Sequence, residues 1–166
     1  MSLFEGLVFS FLTLSAWAFS DLVTKMSLDK ASKWKVLFFG QLFGSLVILA
    51  AMFVLGNVST IFSAALPLLF ALGLVNLAGM YAQYAAFNKS GVALTTPIIN
   101  AWAFVAIILG IIFYNETISE IQIVAIALIV LGVFATVFKK DAKIAFNEGF
   151  FLSVISMLVW GFFFFA

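Results

Sequence analysis

The residues with the clearest chemical potential are polar side chains inside long apolar stretches. Asn76 and Gln83 are seven positions apart and Thr96 and Asn100 are four apart, so each pair falls on one face of a helical segment. Amides and hydroxyls placed in this way can bind a small polar molecule, and nearby indole rings can wall it in. The residues of the predicted binding site are Trp17, Asn76, Gln83, Thr96, Asn100 and Trp102. The alternative is that these polar groups hydrogen-bond one helix to another.

One acidic residue, Asp21, stands at the end of the first apolar stretch and is the candidate for binding a coupling ion. Lys25 follows four positions later, and this spacing favours a solvated ion pair between the two over an ion-coupling role. The sequence has no cysteine and no histidine, which excludes metal sites with those ligands, thiol chemistry and imidazole catalysis. No cluster of acids or nucleophiles occurs at a common depth, so we predict no enzyme activity, no metal and no cofactor.

The composition predicts an all-α polytopic membrane protein. Of the 166 residues, 66% are hydrophobic and 9% are charged, whereas a soluble domain is closer to half apolar and one quarter charged. Residues 36–88 carry no charge at all, which is long enough for two membrane crossings. With eight lysines, no arginine and no basic run, the chain has no nucleic-acid surface.

Hydropathy predicts six transmembrane helices. Their approximate ranges are 3–23, 36–56, 64–87, 91–114, 121–138 and a sixth that begins near 149. All eight lysines fall in the loops that follow helices one, three and five. By the positive-inside rule these loops are cytoplasmic and the amino terminus is outside the cell membrane.

The sixth predicted helix repeats part of the first. "EGLVFSFLTLSAWAF" begins at Glu5 and "EGFFLSVISMLVWGF" begins at Glu148, and the two segments are identical at five positions. Five membrane crossings separate the copies, so the second copy enters the membrane from the opposite side. Inverted repeats of this kind recur in secondary transporters, which bind their substrate where the two halves meet.

The stretch "AAFNKSGVALTTPIINAWAFVAIILGIIFYNETIS", followed by "IQIVAIALIVLGVF", resembles the EamA unit of the drug/metabolite transporter superfamily. The features that carry the resemblance are a small-residue turn, a proline in helix four, a glutamate after that helix and a late glycine in helix five. They fall on Gly91, Pro97, Glu116 and Gly132. The resemblance makes residues 1–145 one five-helix repeat and 146–166 the first helix of a second. The whole is then half of a ten-helix inverted-repeat fold, and four further helices are implied.

The resemblance also implies a cytoplasmic amino terminus. The lysine pattern predicts the opposite orientation, and we follow the lysine pattern here.

In the related small multidrug transporters a glutamate on helix one binds proton and cation in turn, and Trp17 occupies that position in this chain. Gly40 and Gly44 form a GxxxG pair, which predicts helix packing. Pro97 and Glu116 are further candidates for packing or gating.

These features lead to three functional hypotheses. The first is a secondary transporter, by efflux, of a small neutral, zwitterionic or weakly cationic metabolite, because no buried lysine or arginine is available for a strongly anionic substrate. The second is a multidrug exporter that works as a dimer with Asp21 as its coupling acid. The third is a membrane subunit without transport activity. The expected partners are the solute, the lipid bilayer and either a second repeat or a dimer partner.

Overall fold

The chain is helical throughout the part that the structure, a computed structural model, describes: residues 3–55, 66–137 and 147–166. The helices are α1 (Leu3–Leu28), α2 (Lys33–Val54), α3 (Leu66–Ser90), α4 (Val92–Asn100), α5 (Trp102–Tyr114), α6 (Glu120–Val137) and α7 (Glu148–Phe165). The all-α prediction is therefore confirmed. The end of the fifth predicted span, Phe138, lies outside the described residues.

The lengths of the helices fit a membrane. In the described ranges five spans are long and apolar enough to cross a bilayer: α1, α2, α3, α4 with α5, and α7. Helix α6 has 18 residues, or roughly 27 Å at about 1.5 Å per residue, close to a hydrocarbon thickness of about 30 Å. The chain is a polytopic membrane protein.

The fourth predicted span is divided into two helices, where the sequence predicts one. Pro97 has no N–H, so the carbonyl of Ala93 lacks its usual helical partner. Just beyond it, the Ala101 N–H donates to the Ile98 carbonyl at 3.2 Å and the Phe104 N–H to the Ala101 carbonyl at 3.0 Å. These bonds reach back three residues rather than four, and this tighter turn separates α4 from α5.

The most deeply buried apolar side chains lie towards the lysine-bearing ends of the helices. Leu28, Leu37, Tyr84, Phe87 and Ile99 form one cluster from the end of α1, the start of α2, the end of α3 and α4. By contrast, the large apolar side chains in the first four turns of α1 are exposed, as expected for a surface that faces lipid. Among the described residues, the tightest apolar packing is therefore at the lysine-bearing ends of the helices.

Helix α7 lies antiparallel to α3 and packs against α3, α4 and α5. At its start, Glu148 forms an ion pair with Lys89 at 2.7 Å. The Asn147 side chain caps the helix by accepting from the Phe150 N–H at 2.9 Å. Farther along, the Ser156 hydroxyl donates to the Gly79 carbonyl at 3.1 Å. The segment predicted to begin a second repeat is thus an integral part of the described fold.

Among the described residues, neither glycine of the GxxxG pair on α2 packs closely against another helix. A methyl group at Gly44 would meet no atom within 4 Å, and one at Gly40 would meet only the Tyr84 hydroxyl, at 3.9 Å. The close approaches are instead made by Gly79, Gly149 and Gly161. The spacing rule fails here because α2 crosses α3 near its first turns, so Gly44 faces away from the other described helices.

Candidate functional site

A cavity of about 180 Å³ lies between α1, α3, α4, α5 and α7. Its lining combines polar and aromatic side chains: Trp17, Ser20, Asp21, Met80, Gln83, Ile99, Asn100, Trp102, Trp160 and Phe164. The structure therefore brings Trp17, Gln83, Asn100 and Trp102 of the predicted site to one place, together with Asp21. We refer to this space as the α1/α7 cavity.

A chain of hydrogen bonds crosses the cavity wall and connects four helices. The indole N–H of Trp160 on α7 donates to Oε1 of Gln83 on α3 at 3.2 Å. Nε2 of Gln83 donates to Oδ1 of Asp21 on α1 at 3.0 Å. The hydroxyl of Thr96 on α4 donates to Oδ2 of Asp21 at 3.2 Å. Thr96 does not line the cavity, but it holds the carboxylate that does.

The carboxylate of Asp21 belongs to the membrane-spanning helix α1, one helical turn before Lys25. Asp21 precedes the last residue of α1, Leu28, by seven positions, and Gln83 precedes the last residue of α3, Ser90, by seven positions. At about 1.5 Å per residue, both lie roughly 10 Å from the lysine-bearing ends of their helices. Acidic groups at such depth mark substrate or ion pathways in membrane proteins.

The predicted ion pair between Asp21 and Lys25 is wrong. Lys25 pairs instead with Asp29, with Nζ and Oδ1 2.6 Å apart. Both pairings have the same spacing of four residues, so the pattern did not distinguish them. The choice follows from position, because Asp29 is at the exposed end of α1 whereas Asp21 faces α3 and α4.

Aromatic rings from three helices form one wall of the cavity. The ring of Trp102 stacks on that of Phe164 with centroids 4.2 Å apart. Trp17 lies 6.4 Å from Trp102 in an edge-on arrangement and 6.2 Å from Phe164. Trp160 also stacks on Phe164, with centroids 5.8 Å apart. Such contacts hold the rings in place along this wall of the cavity.

Asn76 is not part of this cavity. Its Oδ1 accepts from Nε2 of Gln41 at 3.0 Å, and both side chains line a more apolar space of about 580 Å³ between α2, α3 and α7. Asn76 and Gln83 share a helix face, as the sequence predicts, but two turns of helix, roughly 11 Å, separate them. A common face therefore did not produce a common site.

Sequence reasoning omitted Trp160 and Phe164 from the predicted site. A signal for both was present, since Trp160 is the repeat counterpart of Trp17 and the same offset of 143 positions relates Phe164 to Asp21. Both members of each pair line the same cavity. The internal repeat therefore indicated the second half of the site.

Glu116 lies outside the cavity, on the exposed surface after α5. Its backbone N–H points to the Gly110 carbonyl at 3.5 Å. The carboxylate folds over the same glycine, because a methyl group at Gly110 would lie 2.6 Å from Oε2. Glu116 thus closes the end of its own helix, where the sequence predicts a packing or gating role. In the described ranges, no group of three acidic side chains is placed to hold a metal ion.

The model of the EamA-like transporter family matches residues 4–138, a range that begins in α1 and extends past α6. No curated protein and no solved structure shows significant similarity to the chain.

Proposed function

Because the chain belongs to the EamA-like transporter family, a family of membrane transporters, we propose that it moves a small organic metabolite by alternating access and binds it in the α1/α7 cavity. The observation that carries this proposal is the convergence of Asp21, Gln83 and Trp160 on one cavity inside the spans. Each polar group at that depth has an energetic cost, which a bound solute can offset.

The lining of the cavity supports a particular class of solute. It contains no lysine, so a phosphorylated or strongly anionic compound would lack a fixed cationic partner. The volume of about 180 Å³ is smaller than the roughly 300–1,000 Å³ of sites for drug-sized ligands. We therefore assign it a small neutral, zwitterionic or weakly cationic metabolite.

The proposed transport cycle uses the uneven packing of the molecule. The apolar cluster around Phe87 and Ile99 would seal the lysine-bearing side of the cavity, and the break at Ala101 would serve as a bending point between α4 and α5. In this proposal the site lies between α1 and its repeat counterpart α7, as in transporters built from inverted repeats. We propose the cell membrane as the location and export as the direction of transport.

Solute counterflow in proteoliposomes tests the proposal. Vesicles are preloaded with an unlabelled solute and then diluted into a trace of the labelled form, in separate trials with neutral, zwitterionic and cationic metabolites. A carrier with alternating access accumulates label transiently, whereas protein-free vesicles do not. The absence of counterflow for every solute class, from protein shown to be folded, would contradict the proposal.

A second candidate function is a multidrug exporter that works as a dimer and is driven by protons through Asp21. The observation that favours it is that Asp21 lies in the cavity wall and not in an ion pair with Lys25. This candidate predicts that an imposed proton gradient accelerates flux and that Asp21→Asn removes the acceleration. A flux that changes with neither the proton gradient nor the Asp21→Asn substitution would exclude this candidate function.

A further inference from the structure

We infer that the α1/α7 cavity selects solutes that carry an ammonium group, with Asp21 as the counter-charge and the tryptophan rings as the surrounding wall. This inference rests on the proposed function, since it specifies which solutes the transporter site would accept. It narrows the neutral, zwitterionic and cationic classes to those with a positive charge that is localised on nitrogen.

The hydrogen-bond chain has a fixed direction, and this direction leaves Asp21 as an acceptor. An indole N–H can only donate, so the atom of Gln83 that faces Trp160 is its carbonyl oxygen Oε1. The other end of the same amide, Nε2, must then donate, and it donates to Oδ1 of Asp21. The groups around Asp21 are thus arranged to stabilise a carboxylate.

No described positive group neutralises this carboxylate. The ion pairs of the described residues join Lys25 to Asp29 and Lys89 to Glu148, and neither includes Asp21. Asp21 is also the one charged side chain in the cavity lining. An acidic group on a membrane-spanning helix, with no ion-pair partner among the described residues, favours a cation supplied by the solute.

The rest of the lining suits an ammonium group better than a metal ion. Trp17, Trp102 and Trp160 present indole rings, which attract cations through their faces and do so more strongly than other aromatic side chains. A hard metal cation would instead require several oxygen ligands. An alkylated ammonium can contact rings and a single carboxylate at the same time.

The internal repeat gives the cavity a charged side and an apolar side. The offset that pairs Trp17 with Trp160 also pairs Asp21 with Phe164, and all four residues line the cavity. The two repeat-related helices therefore supply matching indoles but opposite partners, a carboxylate from α1 and a phenyl ring from α7. A solute with a cationic end and an apolar end fits this arrangement.

Intrinsic fluorescence provides a direct test. Of the four tryptophans, three line the cavity, whereas Trp34 lies elsewhere against Tyr81, so Trp34→Phe removes most of the background signal. The full chain in detergent micelles is titrated with choline and, separately, with 3,3-dimethylbutan-1-ol, an uncharged molecule of nearly the same shape. We expect saturable quenching by choline and at least about tenfold weaker binding of the neutral analogue.

Two substitutions complete the test. Asp21→Asn keeps an oxygen to accept from Gln83 and a nitrogen to donate to Thr96, so the fold can be retained while the charge is lost. We expect it to weaken choline binding at least about tenfold. Asp29→Asn, one residue past the end of the same helix and in an exposed ion pair, should leave choline binding unchanged.

Equal binding of choline and its neutral analogue, or full choline binding by Asp21→Asn, would overturn the inference. The choline-binding test and the counterflow test can fail independently, because binding in micelles requires no transport. Counterflow of neutral solutes without choline binding would refute the ammonium site and leave the transporter assignment intact. Charge-selective choline binding without counterflow of any solute would support the site and refute the transporter assignment.

Discussion

At the scale of single residues, the central finding is that Gln83 sets the donor-to-acceptor direction of the hydrogen bonds in the candidate site. Gln83 receives a hydrogen bond from Trp160 and passes one to Asp21. The sequence identifies Gln83 and Asp21 as unusual, because polar groups in apolar helices are expensive. It gives no means of joining them, since residues 62 positions apart meet only through the crossing of α1 and α3.

Replacement of Gln83 by leucine leaves both neighbours without a partner. The Trp160 N–H and one Asp21 oxygen would then be unsatisfied, so we expect Gln83→Leu to lower the free energy of unfolding by about 1 to 3 kcal/mol. Thermal or denaturant unfolding in micelles measures this loss. Trp160→Phe, which removes the donor itself, should cost less, and a larger loss from Trp160→Phe than from Gln83→Leu would contradict the account.

At the scale of helices, close packing depends on glycines that the GxxxG pattern does not identify. A methyl group at Gly161 would meet the side chain of Val105 and, at 3.0 Å, the carbonyl oxygen of Trp102, so α7 approaches α5 closely at this point. The sequence predicts the helices themselves well, because hydropathy determines them. The crossing geometry of the helices determines which of their faces pack together, and the spacing of residues in the sequence does not predict that geometry.

Two glycine substitutions test this packing. Gly161→Ala should destabilise the docking of α7 by about 1 to 3 kcal/mol, because the added methyl group has no free space. Gly132→Ala on α6 is the matched control, since its methyl group would meet nothing within 4 Å and should be neutral or mildly stabilising. Thermal unfolding of both variants decides the point, and equal stability of the two would show that α7 does not approach α5 as described.

At the scale of the whole molecule, composition and repeat predict more than local motifs do. Hydropathy is sufficient for the polytopic fold, and the five identities shared by α1 and α7 point to the pair of helices that meets at the cavity. The break at Ala101 is less predictable, because a proline shows that a helical hydrogen bond is lost in the span but not at which residue the helix ends. Asn76 lies outside the α1/α7 cavity, because helical spacing predicts the direction of a side chain but not the position along the helix at which a cavity forms.

The orientation of the molecule is open to a direct test, because the chain contains no cysteine. From the positions of the lysines we expect Ala31→Cys to react with a membrane-impermeant maleimide only after the cells are opened. Asn115→Cys, on the opposite side, should react in intact cells. The reverse labelling pattern would place the amino terminus in the cytoplasm and contradict the lysine-based assignment.

The most direct test of solute binding in the α1/α7 cavity is solute counterflow into proteoliposomes that contain the Gln83→Leu variant. The matched variant is Asn76→Leu. Both substitutions replace an amide on α3 with leucine and break hydrogen bonds to neighbouring helices, two for Gln83 and one for Asn76. The two side chains line different cavities: Gln83 lines the α1/α7 cavity, and Asn76 lines the more apolar cavity between α2, α3 and α7. We expect Gln83→Leu to abolish counterflow and Asn76→Leu to retain it. Retained flux in Gln83→Leu would contradict the claim that the solute binds in the α1/α7 cavity.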